Sequence, residues 1–225
     1  MNELFQKFSN DGYCIIENFL SEQRVGSLKE QVKSIFYTED MDCRISVNQE
    51  KLKEQGVFIG MSKKNSHFND LVNSPEILNL LKQATNKDMN FTDDKIVFKD
   101  SSTQFASPWH QDWYYWKGSH KVSAWIALDD VTEDNGCLQV IPGSHKNRVE
   151  HNEISEDGFS KEVSDNLISS KEIVNLPVSA GSIILLDDLI LHSSLPNNSL
   201  EDRWAFIPTY TDLNWDIRNI FNISK

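Results

Sequence analysis

Three side chains have the types and placement to hold one metal ion: His110 and Asp112 in PWHQDWYYW, and His192 at the end of the strand-like run GSIILLDDLILHSS. If the first segment is extended, the i, i+2 spacing puts His110 and Asp112 on one face, about 7 Å apart along the backbone. His192 then has to arrive from a different strand of the same sheet or barrel. Two imidazoles and one carboxylate on one side of an octahedral iron(II) leave three positions open, which suit a bidentate oxo-acid and dioxygen. Hydrolytic zinc is a poorer match, because it needs a tetrahedral set and a general base that the sequence does not single out. The His-x-acid pair is weak by itself, since His151-Asn152-Glu153 repeats it in an acidic stretch.

Arg203 follows His192 by eleven residues, beyond the turn Pro196-Asn197-Asn198, and heads RWAFIPTY. It is expected on the neighbouring antiparallel strand, where a fixed guanidinium clamps a carboxylate bidentately. Ser194 shares the face of His192 by period two and can donate to the same carboxylate. Together they make a site for the distal end of 2-oxoglutarate. Trp109, Trp113, Tyr114, Tyr115 and Trp116 surround the His110 motif and could wall a partly apolar substrate pocket, about half of them facing it if the segment is a strand. His145 in PGSHK reads as turn architecture, and Lys63, Lys64, Lys99 and Lys117 as solvated surface, with recognition of an acidic substrate or cosubstrate as the alternative role.

Positioning these residues takes a β framework. From Lys95 onward the chain breaks into short apolar or alternating runs: IVF, VSAWIAL, CLQVI, EIVNLPV, SIILL and RWAFIPTY. Turn residues separate them, and no long helix intervenes to connect parallel strands. The expected fold is mainly β with flanking helices around an antiparallel, double-sheet jelly roll. Upstream, Ser21 caps a helix through EQRVGSLKEQVKSIF, and Ser74-Pro75-Glu76 opens another through ILNLLKQA. A single domain spanning 1–225 is expected, helical to about 90 and jelly roll from about 95 to 215. Residues 147–172, polar and without clear periodicity, have the length of a functional lid.

With 22 basic and 34 acidic residues the chain carries −12, which argues against a general nucleic-acid or anionic-membrane binder. Cys14, Cys43 and Cys137 are too irregular for a disulfide framework or a cysteine zinc site. No signal-like segment and no apolar run of about 20 residues is present. A cytoplasmic protein with a small-molecule substrate is expected, its oligomeric state open.

The order of these motifs resembles the phytanoyl-CoA dioxygenase family of Fe(II)/2-oxoglutarate-dependent oxygenases. The resemblance runs through DGYCIIENFLSEQRVGSLKEQV, PWHQDWYYW, ALDDVTEDNGCLQVIPGSHK and LPVSAGSIILLDDLILHSSLPNNSLEDRWAF. It implies a double-stranded β-helix (cupin-like) core, iron on His110, Asp112 and His192, and 2-oxoglutarate against Trp125, Ser194 and Arg203. It also implies hydroxylation of a small metabolite, amino-acid-like or a natural-product intermediate, with dioxygen consumed and succinate and CO2 released. Related halogenases carry a small residue where this chain has Asp112, so oxygenation is expected over halogenation. Two rival readings stand beside it: a non-enzymatic jelly-roll module that binds metal or 2-oxoglutarate, and a cupin-like metal enzyme that does not use 2-oxoglutarate.

Overall fold

A computed structural model of the protein describes residues 2–36, 56–100, 106–116, 120–153 and 161–214. The helices are α1 (Glu3–Asp11), α2 (Glu22–Phe36), α3 (Met61–Lys64), α4 (Ser66–Val72), α5 (Pro75–Thr85) and α6 (Asp165–Ile168). The strands are β1 (Tyr13–Ile16), β2 (Val57–Ile59), β3 (Met89–Lys99), β4 (Ser107–His110), β5 (Lys121–Ala127), β6 (Leu138–Val140), β7 (Asn152–Glu153), β8 (Lys161–Glu162), β9 (Val174–Leu176), β10 (Ile183–Asp187), β11 (His192–Ser194) and β12 (Arg203–Asp212). They form a major sheet in the order β1-β10-β5-β12-β3-β2, a minor sheet β4-β11-β6-β9, and a β7-β8 ribbon. Every pairing is antiparallel.

The major sheet is sandwiched, and its sequence alternation says how. Along β12, Trp204, Phe206 and Tyr210 face the helices, packing with Phe68 of α4, Ile77 and Leu81 of α5 and Leu28 of α2. Ala205 and Ile207 point the other way, toward Leu138 and Val140 of the minor sheet and Trp125 of β5. Burying each such large apolar side chain contributes about 1.5–3 kcal/mol before entropy is charged against it. Arg203 is in phase with the inward set, so the same alternation that builds two cores also aims a cation between the sheets.

The helices begin where the sequence predicts. Ser21 Oγ accepts from Arg24 N at 3.3 Å at the head of α2, and Ser74 Oγ accepts from Ile77 N at 3.4 Å with Pro75 opening α5. Two boundaries differ from the sequence reading. The N-terminal part is not purely helical, because β1 supplies an edge strand of the major sheet and β2 pairs with β3, which itself starts at Met89. The run through His192 is not one strand: β10 stops at Asp187, the chain turns, and β11 starts at His192 in the other sheet. The turn is fixed by the Asp187 side chain, whose carboxylate accepts from Leu189 N at 2.9 Å.

Candidate metal centre

Strand β4 ends at His110, which lies directly opposite His192 at the start of β11. The two rings are 4.2 Å apart between centroids. Asp112 is not on the strand as expected; it opens a 3-10 turn through Tyr114. The turn still brings it home, with Oδ1 at 3.6 Å from His110 Nε2 and 4.0 Å from His192 Nε2. The turn is held by Trp113 N, which donates to Asp188 O at 2.9 Å. One ligand atom from each of the three residues lies within 4.8 Å of the others, and all three side chains are buried.

The surroundings prepare these atoms for a cation. His110 Nδ1 meets Pro108 O at 2.7 Å, and His192 Nδ1 meets Ile190 O at 3.0 Å. A carbonyl only accepts, so each Nδ1 carries the proton and each Nε2 presents its lone pair to the cluster. Burial pushes the Asp112 carboxyl up, but the neighbouring His110, then His192 and Lys95, outweigh it and hold the group well below the usual carboxylate range. Burial and the neighbouring His110 push His192 down to about 4. Near neutral pH Asp112 is therefore anionic and His192 neutral, the states a divalent ion requires. Ser123 Oγ donates to Asp112 Oδ2 at 3.3 Å, fixing the carboxylate from the major sheet.

Deeper between the sheets lies a second, cationic locus. Arg203 is 1% exposed, and its Nε has no hydrogen-bond partner although it is buried. Its guanidinium sits 5.5 Å from the centre of the Trp125 ring, which brings together two residues that are 78 positions apart. Arg203 is not beside β11 as expected: it is in register with Lys99 of β3, across the major sheet. Lys99 is fully buried, contrary to its reading as a solvated residue. Its ammonium donates to Ser194 Oγ at 2.8 Å and to Leu195 O, and Ser194 Oγ also meets Ser107 Oγ at 2.9 Å. Burial, then the charge of Arg203, pushes Lys99 down to about 6. Burial lowers Arg203 to about 10. A buried guanidinium with an orphaned N–H, beside a buried amine that a neighbouring anion would protonate, fits an incoming carboxylate.

The aromatic residues divide. Tyr115 meets the His110 ring edge-on at 5.8 Å between centroids and donates its hydroxyl to Lys161 O at 3.0 Å. Tyr114 lies against the His151 ring at 4.0 Å, and Trp113 carries the Arg148 guanidinium on its face at 3.7 Å. Trp109 packs against the small cluster of Ile141, Val163, Ile168 and Leu191. Because Asp112–Tyr114 is a turn, the strand alternation expected for these residues does not apply. Lys117 lies outside the described residues.

Sequence reasoning missed Ser123 and Gln111 and set aside Lys99 and His151. Lys99 had a signal, the in-phase alternation of Lys95, Val97 and Lys99. Ser123 had none. Gln111, fully buried between two of the clustered residues, gives its amide to Asn147 O at 2.9 Å and Leu189 O at 2.6 Å and accepts from Val149 N at 3.0 Å. His151, the second His-x-acid match, does not join the cluster; its Nε2 accepts from Gln111 N at 2.9 Å. Residues 147–151 are thereby tied to the segment that bears His110 and Asp112.

Among the described residues no helix is long and apolar enough to cross a membrane. The phytanoyl-CoA dioxygenase family profile matches residues 8–205. A phytanoyl-CoA dioxygenase domain-containing protein 1 homologue of Caenorhabditis elegans is 23% identical over 92% of this chain and 89% of its own. A probable alpha-ketoglutarate-dependent hypophosphite dioxygenase of Stutzerimonas stutzeri is 27% identical over 86% of this chain and 72% of its own. The crystal structure of SnoK, a non-heme alpha-ketoglutarate-dependent carbocyclase from nogalamycin biosynthesis, superposes with a TM-score of 0.75 at 22% identity, covering 94% of this chain and 84% of that one. The profile match spans most of the chain and contains His110, Asp112, His192 and Arg203, so the protein belongs to the phytanoyl-CoA dioxygenase family and is an iron(II)- and 2-oxoglutarate-dependent dioxygenase.

Proposed function

We propose that His110, Asp112 and His192 hold the iron, that Arg203 and Lys99 receive the far carboxylate of 2-oxoglutarate, and that the enzyme hydroxylates a small metabolite. The observation that carries this reading is the orientation of the two imidazoles, both with Nδ1 committed to a backbone carbonyl and Nε2 turned toward one carboxylate oxygen. When bound, iron with 2-oxoglutarate and dioxygen supplies the oxidising power, and succinate and CO2 leave.

The chain's own residues set position. Asp112 contributes a charge that Ser123 keeps from rotating. Trp125, packed in the core between the two sheets, presents its ring to the Arg203 guanidinium and limits where the cosubstrate's tail can lie. Ser194 keeps the Lys99 amine in place. Tyr115, and with it Trp113 and Tyr114, bounds the approach to His110 for the substrate, and Trp109 anchors the cover. The parts of 147–172 that are described form that cover: the β7-β8 ribbon and α6, attached to β4 through Val163 N donating to Trp109 O at 2.7 Å.

Anaerobic addition of Fe(II) and 2-oxoglutarate to the metal-free protein tests the assignment. A visible charge-transfer band is expected in the wild type and is lost in His110→Ala. No band in wild type loaded with both would return the weight to a cupin-like enzyme that does not use 2-oxoglutarate.

A further inference from the structure

At the end of the major sheet away from Arg203 lies a cavity that the metal reading does not use. It encloses about 340 Å³ between the outer face of that sheet and the helices α1 and α5, within the ~300–1,000 Å³ typical of small-molecule pockets. Strand alternation puts it on the helix side. Val122 of β5 and Met89 of β3 belong to the helical core, and Asp187, opposite Val122, is in phase with Ile183 and Leu185 of that same core. Ser123, the next residue of β5, points the other way, to Asp112. The cavity and the metal cluster are therefore on opposite faces of β5. Phe5 and Phe8, one turn apart on α1, supply its apolar wall.

One carboxylate in that cavity lacks a cation. Asp212 meets Lys87 at 3.3 Å, and the adjoining Asp188 meets His120 at 3.0 Å and accepts from Lys121 N at 3.1 Å. The Lys121 ammonium is turned to the Trp116 ring, 4.9 Å from its centre. Among the described residues no cationic group lies within ion-pair distance of Asp187, whose Oδ1 accepts only the turn bond from Leu189 N. Burial, then the charge of Asp188, pushes its carboxyl up, as befits a desolvated anion short of a partner. His145 adds a second acceptor. Its Nε2 donates to Ser9 O at 3.2 Å, so Nδ1 carries the lone pair, and that atom is buried without a hydrogen-bond partner. Gly12 lies against both residues: its carbonyl accepts from Asp187 N at 2.9 Å, and a Cβ on it would stand 2.4 Å from His145 Nδ1.

We propose that this cavity binds a small primary amine, with the ammonium on Asp187 and the apolar body against Phe5 and Phe8, as a second ligand site independent of iron and 2-oxoglutarate. An ammonium brings the charge that Asp187 lacks and the N–H donors that Asp187 and His145 can accept; an anion brings neither. The test titrates 4-fluorobenzylamine into the protein at pH 8 and follows its 19F transverse relaxation, with 4-fluorobenzyl alcohol as the uncharged control. Methionine 13C-methyl labels report on Met89 in the cavity wall and on Met61 outside it. Saturable binding of the amine is expected, about tenfold or more tighter than the alcohol, with the Met89 methyl shifting at the same midpoint and Met61 unmoved. Asp187→Asn, which keeps an oxygen for Leu189 N, should weaken the amine about tenfold or more, whereas His110→Ala should bind it as the wild type does. No saturable binding to the wild type, equal affinity for the alcohol, a silent Met89 methyl, unchanged affinity in Asp187→Asn, or lost affinity in His110→Ala would overturn the proposal.

Discussion

Binding of 2-oxoglutarate should draw a proton out of solution, and Lys99 is the reason. With its amine pushed down to about 6, Lys99 is only about 3% protonated at pH 7.5. Burial is the larger cause and Arg203 the next, and a carboxylate placed between the two cations offsets both. Raising the amine to its ordinary range on binding takes up about one proton per site at pH 7.5, and supplying that proton costs about 2 kcal/mol of apparent affinity. The sign follows: the amine is higher in the complex than in the free protein, so affinity is full below about pH 6 and falls close to tenfold per unit above it, until the bound amine itself titrates. Calorimetry of 2-oxoglutarate binding in buffers of different ionisation enthalpy reads the uptake directly. Wild type should show about one proton taken up, and Lys99→Met close to none with weaker but pH-insensitive binding. Heat independent of the buffer in wild type, or the same uptake in Lys99→Met, would refute the argument.

Other perturbations have equally definite outcomes. His110→Ala and Asp112→Ala should each lower Fe(II) affinity by at least about 100-fold in equilibrium dialysis while leaving the far-ultraviolet circular dichroism unchanged. Arg203→Gln should weaken 2-oxoglutarate binding by about 10- to 100-fold, the loss of a charge-assisted pair, with Fe(II) affinity little altered. Gln111→Glu turns a carboxylate toward Asn147 O and Leu189 O; faster hydrogen exchange at 147–151 and a loss of about 2–4 kcal/mol in urea unfolding are expected. Gly136 has φ +95°, and a Cβ there would stand 2.6 Å from Leu195 O and 3.1 Å from the Lys99 side chain. Gly136→Ala should therefore cost about 1–3 kcal/mol and disturb 2-oxoglutarate binding together.

The parts of the fold that are repetitive were the parts legible in the sequence. Alternation in RWAFIPTY and VSAWIAL encodes which residues face the helices and which face the site, and a serine before each of two helices marks their starts. The three clustered side chains were legible because their types are few and their order is particular. What local pattern cannot encode is which strands become neighbours. Lys99 and Arg203 are 104 positions apart and meet only through the β3-β12 register, so the alternation of Lys95, Val97 and Lys99 gives the lysine's face but not its partner. Asp112 was found for a partly mistaken reason: the spacing suggested a strand, and a turn delivers the carboxylate to the same place. Gln111 and His151 were illegible because their roles are to join segments, and a joining role is a property of both partners.

The pairing of His110 with His192 has a mechanical consequence. Strands β4 and β11 are four and three residues long, with a register shift between them, so their backbone ladder alone is a weak fastening. On the assignment proposed above, a metal ion gripped by one histidine from each would act as a rivet through the minor sheet, and Asp112 would extend the grip into the turn beyond. The ion would in this sense be a late structural part of the fold: chelation of the metal-loaded protein should loosen the β4-β11 seam first, and leave the major sheet and its helices standing.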